Sequence, residues 1–350
     1  VYQTDRYDAI GTQLYDVEQD RWSEELCAIL ERDTGWLPTV APASQISGTL
    51  LPQAARDTGL PVGLPIAVGS GDSVVEALGV GAVRSGQGIV KLGTAANVNL
   101  VTMQPCPTPK SITYRHVVGG QWFTITATNS GASTMRWFRE TFCRAETEQA
   151  LAQGTDVYEL IERLSHGASA GSQGLIFHPY LSGERSPYWD PYLRGDFVGI
   201  HGQHSMNHFA RAVLEGVAFS LRDCFRVVES LGQHIESLYL IGGGAKSKLW
   251  RQILCDVLGR SLVKPCVEDA AFGAAVLAGV ASGVFPEWAS AAQQCAQVET
   301  VVHPDPTAHA LYSKYFEIYC AITRDLTSHY HSLAQLVGKH AGDNHAHQDA

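Results

Sequence analysis

Between positions 207 and 231 apolar residues recur at steps of three and four. Val213, Leu214, Val217, Ala218, Leu221, Phe225, Val228 and Leu231 share one face at the helical period and predict the chain's clearest amphipathic helix. Other stretches follow shorter patterns. Ile66-Ala67-Val68 reads as a strand running into Gly69-Ser70-Gly71-Asp72, after which Val74, Val75, Ala77, Leu78 and Val80 predict a closely packed small-residue helix. Residues 88–92 read as a strand leading into the turn Gly93-Thr94-Ala95-Ala96, and 114–128 as strands joined at Gly119-Gly120. Gly131-Ala132-Ser133 opens a helix containing Met135, Trp137 and Phe138, and 141–171 is helical in pattern. A strand at 237–241, the turn Gly242-Gly243-Gly244, a helix over 247–258 and another over 272–282 follow. Strands alternating with helices, with glycine turns at strand ends, predict an α/β fold.

Composition narrows the partners. The 350 residues carry 25 Lys and Arg against 35 Asp and Glu, a net charge of −10 that argues against nucleic acid or an anionic membrane surface. No apolar run approaches the length of a membrane span. The eight cysteines are scattered without a CxxC pair, which favours reduced thiols and a cytoplasmic setting over disulfides or zinc. The length suits two domains, or one domain and part of another.

The candidate chemistry lies in the three glycine turns that follow strands. Glycine lets a backbone approach a phosphate, and a following helix N-terminus offers free N–H groups. One such turn is common punctuation; three in one chain raise the nucleotide reading without settling it. Neither GxxxxGK[ST] nor a dinucleotide fingerprint is present, which disfavours P-loop and Rossmann nucleotide sites. Asp72 stands between glycine and a packed helix. It reads either as an N-cap or as a general base, and spacing alone favours the cap.

The blocks GSGDSVVEALGVGAV (69–83), KLGTAANV (91–98), NSGASTMRWFRE (129–140), GLIFHPYLSGERSPYWDPYLRGDFVGI (174–200), RAVLEGVAFSLRD (211–223) and GGGAKSKLWRQILCDVLG (242–259) resemble, in order, those of the FGGY carbohydrate kinases, on the xylulokinase side of that family. The resemblance implies an actin-like fold of two ribonuclease-H-like domains with ATP and sugar in the cleft between them. It divides the chain into a remnant of the sugar-binding N-terminal domain (1–83), the nucleotide-binding C-terminal domain (84–336) and a disordered tail (337–350). It makes Asp72 the catalytic base, with an indirect part in placing magnesium. Gly93 and Thr94 would hold the terminal phosphates, Gly131 and Met135 the phosphate or ribose side, and Gly243, Gly244 and Ala245 the adenine wall, with Lys248 one turn on. Glu184 and Arg185 read as a structural ion pair and loop anchor, as do Asp190 and Arg194, and Glu215 as a buried, hydrogen-bonded helix residue.

The implied activity is ATP- and Mg2+-dependent phosphorylation of a sugar hydroxyl, D-xylulose foremost. Gluconate, ribulose or another sugar or polyol is the alternative, as is a non-catalytic nucleotide-binding protein; a homodimer is compatible with the family. Two departures stand out. No DxGT-type phosphate loop occurs, so the chain is expected to lack the first part of the N-terminal domain and, as written, to be inactive. Tyr7-Asp8 stands where relatives carry Ser-Asn.

Overall fold

The computed structural model describes residues 1–346, with side chains as far as residue 337. Its centre is a seven-stranded sheet built from β1 (Gln87–Leu92), β2 (Ala96–Thr102), β3 (Ile112–Arg115), β4 (Trp122–Thr128), β5 (Ser237–Ile241), β6 (Leu262–Pro265) and β7 (Val298–Val302), in the spatial order β7-β6-β5-β1-β2-β4-β3. β1, β2, β4 and β3 pair antiparallel, while β5 runs parallel to both β1 and β6. The two β5 pairings are the crossovers, and helices must fill them.

Seven helices position the site: α1 (Asp72–Gly79), α2 (Ala132–Phe142), α3 (Val157–His166), α4 (Met206–Ser230), α5 (Lys248–Leu258), α6 (Ala270–Ala281) and α7 (Pro306–Ala346). Alternation along the strands explains the layering. Val90 and Leu92 of β1, Val98 and Leu100 of β2 and Leu238 and Leu240 of β5 face the core beneath α4, together with Val213, Val217, Leu221 and Phe225 of that helix. Ile89, Val101 and Ile241 point to the opposite face, where Val74 and Ala77 of α1 cover them. The sheet therefore reads as near-continuous apolar runs, because both faces are buried.

α1 also packs against α6 through Val75, Leu78, Val276 and Leu277. At this crossing a Cβ on Gly273 would lie 1.7 Å from the Val75 carbonyl oxygen, so only glycine permits the approach.

The expected helices are present with ends moved by a residue or two: α4 spans the amphipathic pattern, and α5 starts after Ser247, whose side chain caps the Trp250 N–H. The stretch 141–171 contains two helices, Arg144–Gln153 and α3, separated by Gly154. β2, β6, β7 and α7 lie outside the pattern read from sequence. α7 is assigned as far as Ala346, and of the expected tail residues 347–350 lie outside the described residues.

Residues 1–71 form small two-stranded units, including the parallel pair Gln3–Asp5 with Thr39–Ala41. None of the eight cysteines is in a disulfide. Among the described residues no helix is long and apolar enough to cross a membrane.

Candidate active site

Two glycine turns meet at the ends of β1 and β4. The Gly131 N–H donates to the Thr94 carbonyl (3.0 Å) and the Ala132 N–H to the Gly93 carbonyl (2.6 Å). Ser133 adds its N–H (3.2 Å) and its hydroxyl (2.7 Å) to the same Thr94 carbonyl. The contact is close enough that a Cβ at Gly131 would sit 2.4 Å from the Gly93 oxygen. The Gly93-Thr94 turn is thereby locked onto the N-terminus of α2, while Thr94 itself stays exposed.

The third turn lies beside them because β5 neighbours β1. Gly243 is exposed, Gly244 and Ala245 are buried, and the Ala245 N–H returns to the Gly242 carbonyl (2.9 Å). A cavity of about 670 Å3 runs between these turns and α3. Thr94, Met135, Gly243, Gly244 and Lys248 line it, so five of the expected nucleotide residues share one wall. Gly93, Gly131 and Ala245 do not line it; Gly93 and Gly131 act through the turn just described, and Ala245 is fully buried beneath it. Ile161, Leu214 and Trp250 make part of the lining apolar, and Arg136, Lys246 and Lys248 bring positive charge. Such a cavity, its three cations balanced by Asp156, Glu159 and Glu162, suits a ligand with a flat apolar part and a polar part.

Sequence reasoning read this stretch as helical but did not place α3 at the site. Asp156, Tyr158, Glu159 and Glu162 line the cavity, and Glu162 also accepts the Leu249 N–H at the start of α5 (3.0 Å). A polar helix surface carries no signal that separates a cavity wall from a solvated face.

Asp72 does not line this cavity. It occupies the first helical position of α1, with Gly71 as the N-cap residue, so the capping reading is corrected. Its carboxylate is exposed and accepts the Ser73 N–H (2.7 Å). The preceding turn is held from the N-terminal segment: the Ser70 hydroxyl donates to Asp5 (2.6 Å), a buried carboxylate that also caps the Arg6–Gly11 helix. Burial pushes the Asp5 carboxyl above its ordinary value, against the opposing effect of these hydrogen bonds. Tyr7, whose role the sequence left open, presses its ring on Gly71 and stacks on Tyr114 at 4.4 Å. One turn after Asp72, Glu76 receives the Lys91 ammonium at 2.6 and 2.8 Å, joining α1 to the strand that ends just before Gly93.

The second conspicuous acid is Glu184. It is 3% exposed, and its Oε1 accepts the N–H groups of Asn129 (2.7 Å) and Arg185 (2.7 Å). The expected Glu184–Arg185 ion pair is corrected: Glu184 is satisfied by backbone, and the Arg185 guanidinium donates to the Thr128 carbonyl (2.9 Å). Desolvation raises the Glu184 carboxyl to about 7. Asp190 pairs with His331 (2.7 Å), and Arg194 donates to the Pro191 and Leu193 carbonyls. Glu215 is buried as expected, bonded to Arg211, Tyr312, Ser172 and the Gly171 N–H.

The FGGY carbohydrate kinase C-terminal domain matches residues 88–282, and that family's N-terminal domain matches residues 1–79. The chain belongs to the FGGY family of carbohydrate kinases. It is 30% identical over 327 residues to a xylulose kinase of Staphylococcus epidermidis, covering 92% of this chain and 64% of that protein. A gluconokinase of Bacillus subtilis is 31% identical over 284 residues, 79% of this chain and 54% of that protein. Among solved structures, a ligand-bound xylulose kinase from Lactobacillus acidophilus superposes with a TM-score of 0.85 at 28% identity, covering 95% of this chain and 66% of that one. This FGGY chain thus has the actin-like, ribonuclease-H-like fold of these kinases over the part it spans, with the N-terminal domain matched only by residues 1–79, and covers 64% of the length of the Staphylococcus relative.

Proposed function

We propose that the protein transfers the terminal phosphoryl group of ATP to a hydroxyl of a sugar, with D-xylulose as acceptor and D-xylulose 5-phosphate as product. The observation that carries this is the cavity itself, around which three separate glycine turns and Lys248 gather, with Glu76 and Lys91 tying the helix that presents Asp72 to the strand leading into Gly93. ATP lies along the cavity with its base toward Met135 and the Gly243-Gly244 backbone and its phosphates toward the Gly93-Thr94 turn. Asp72 accepts the proton of the attacking sugar hydroxyl as the O–P bond forms, and ADP leaves with the electrons of the broken bond. Phosphoryl transfer of this kind needs positioning and charge neutralisation more than covalent help.

Among the described residues no group of three or more His, Cys, Asp or Glu could hold a metal ion. Mg2+ bound with the nucleotide would supply neutralisation of the phosphate charge, and Asp72 would reach it only indirectly, through the phosphates.

The gluconokinase relative favours gluconate as the second acceptor to test. Coupled measurement of ADP formation with D-xylulose, D-gluconate, D-ribulose and glycerol, alongside calorimetric ADP binding, tests the proposal. The expected result is ADP binding by the chain, and acceptor-dependent turnover with xylulose when a family segment carrying the DxGT-type loop is fused ahead of it, lost by orders of magnitude in Asp72→Ala while ADP affinity stays unchanged. ADP binding without turnover on any acceptor by that fused enzyme would favour a nucleotide-binding role; absence of ADP binding by the chain would sink both.

A further inference from the structure

We propose that Glu184 is a positioning residue for the nucleotide phosphates: its carboxylate holds the turn after β4 and, through that turn, the Gly93-Thr94 backbone. This deepens the nucleotide reading above and rests on it. The connection is short and continuous. Glu184 Oε1 accepts the Asn129 N–H, and the Asn129 side chain donates back to the Ser182 carbonyl (3.3 Å). Two more bonds clamp the same loop to β4, from the Ser186 N–H to the Ala127 carbonyl (2.9 Å) and from Arg185 to the Thr128 carbonyl. Two residues past Asn129, Gly131 begins the set of four donors that terminate on the Gly93 and Thr94 carbonyls. Glu184 itself is outside the cavity, so it acts through these turns and touches no ligand.

A buried carboxylate is a costly way to satisfy two backbone N–H groups, since a neutral acceptor would also do so. What ionisation adds is strength: a charge-assisted bond is shorter and about twice as strong as a neutral one. The groups facing Glu184 leave it free to titrate near neutrality. The Arg185 guanidinium and the Thr128 hydroxyl favour the charged form, against burial. Ser220 of α4 approaches Oε2 (3.5 Å). Cys224 of α4 and Tyr319 of α7 are held neutral by burial, each pushed well above its ordinary value. Asp223, the remaining acid of this region, is bonded to Tyr188 and also raised by burial. Protonation of Glu184 replaces the charged acceptor by a neutral one and loosens the turn.

The experiment compares wild type with Glu184→Gln, which keeps one neutral oxygen acceptor at all pH values, and with Glu184→Leu, which keeps none. Affinities for ADP and for adenosine are measured at about pH 8 and about pH 6, either side of the Glu184 titration. The wild type should lose about ten-fold more ADP affinity than Glu184→Gln on going to the lower pH. Using the ratio to Glu184→Gln removes the titration of ADP itself. Adenosine, which lacks phosphates, should bind all variants alike.

Equal pH profiles for wild type and Glu184→Gln, or an adenosine loss matching the ADP loss, overturns the proposal. Binding of neither ligand to the wild type overturns the nucleotide reading instead. The positioning claim is then decided by amide exchange in the 129–133 and 93–95 segments, whose protection, after correction for the intrinsic pH dependence of exchange, must fall at the lower pH in wild type and not in Glu184→Gln. If Glu184→Leu does not fold, the Gln comparison still decides.

Discussion

Gly131 shows how little room the site leaves at single positions. An added Cβ would meet the Gly93 carbonyl at 2.4 Å and the Ala95 carbonyl carbon at 2.8 Å, both backbone atoms that cannot swing aside. Gly131→Ala should therefore push the two turns apart and weaken ADP binding by about ten-fold or more, the consequence of about 1–3 kcal/mol of overpacking. Unchanged affinity by calorimetry would mean the turns do not hold phosphate. The sequence made Gly93, Gly131 and Gly243 legible because each stands in a turn directly after a strand, where a side chain would be expected. Lys246, Tyr158 and Glu159, equally part of the cavity wall, were not legible, because a polar residue on a helix surface looks the same beside a ligand or beside water. Asp72 was visible as an acid at a helix start. Its place one residue inside the cap, exposed and bonded only locally to Ser73, came from the backbone path around Gly71.

At the scale of elements, α1 is the piece that joins the two family domains. Glu76 lies in the segment matched by the N-terminal domain and Lys91 in that matched by the C-terminal domain, and their ion pair is largely shielded from water. A double-mutant cycle with Glu76→Gln and Lys91→Met should give a coupling of about 0.5–3 kcal/mol in chemical denaturation, as expected for contacting residues. Additive losses would show that the pair does not tie the helix to the strand. The α1–α6 crossing is more demanding. Gly273→Ala would place a methyl group against the Val75 carbonyl oxygen at 1.7 Å, so the helices must separate. A melting temperature lowered by several degrees is expected, the shift that about 1–3 kcal/mol produces in a chain of this class. An unaltered melt would mean that the crossing is loose.

For the whole molecule, buried titratable groups set the response to pH. Glu184 is raised to about 7, so below its unfolded value the folded state gains nothing and loses nothing by it, while stability falls as pH rises from there through about 7. His116 is buried and depressed to about 4, so its contribution is present above the ordinary imidazole value and is lost as pH falls toward about 4. The two oppose each other across the mildly acidic range. Replacing Glu184 by Gln removes one side, so the variant should gain melting temperature relative to wild type at about pH 8 and gain least at about pH 5. A pH-independent difference would show that Glu184 ionises in the folded protein as it does in water.

The α/β class, the amphipathic α4, the glycine turns and the family blocks follow from sequence alone, because periodicity, glycine placement and residue identity are local properties. Asp72 as an acid at a helix start, and the five residues that prove to line one cavity, could also be picked out from it. Tertiary structure decided what depends on distant segments meeting. The β5–β1 pairing, between residues some 150 positions apart in the chain, puts the third glycine turn beside the first two. The same folding makes α3 a cavity wall, replaces the Glu184–Arg185 ion pair by backbone donors to the carboxylate, and joins Glu76 to Lys91. No local pattern encodes these contacts, because each is selected by the closing of the core on both faces of the sheet and by the need of every buried polar group for a partner.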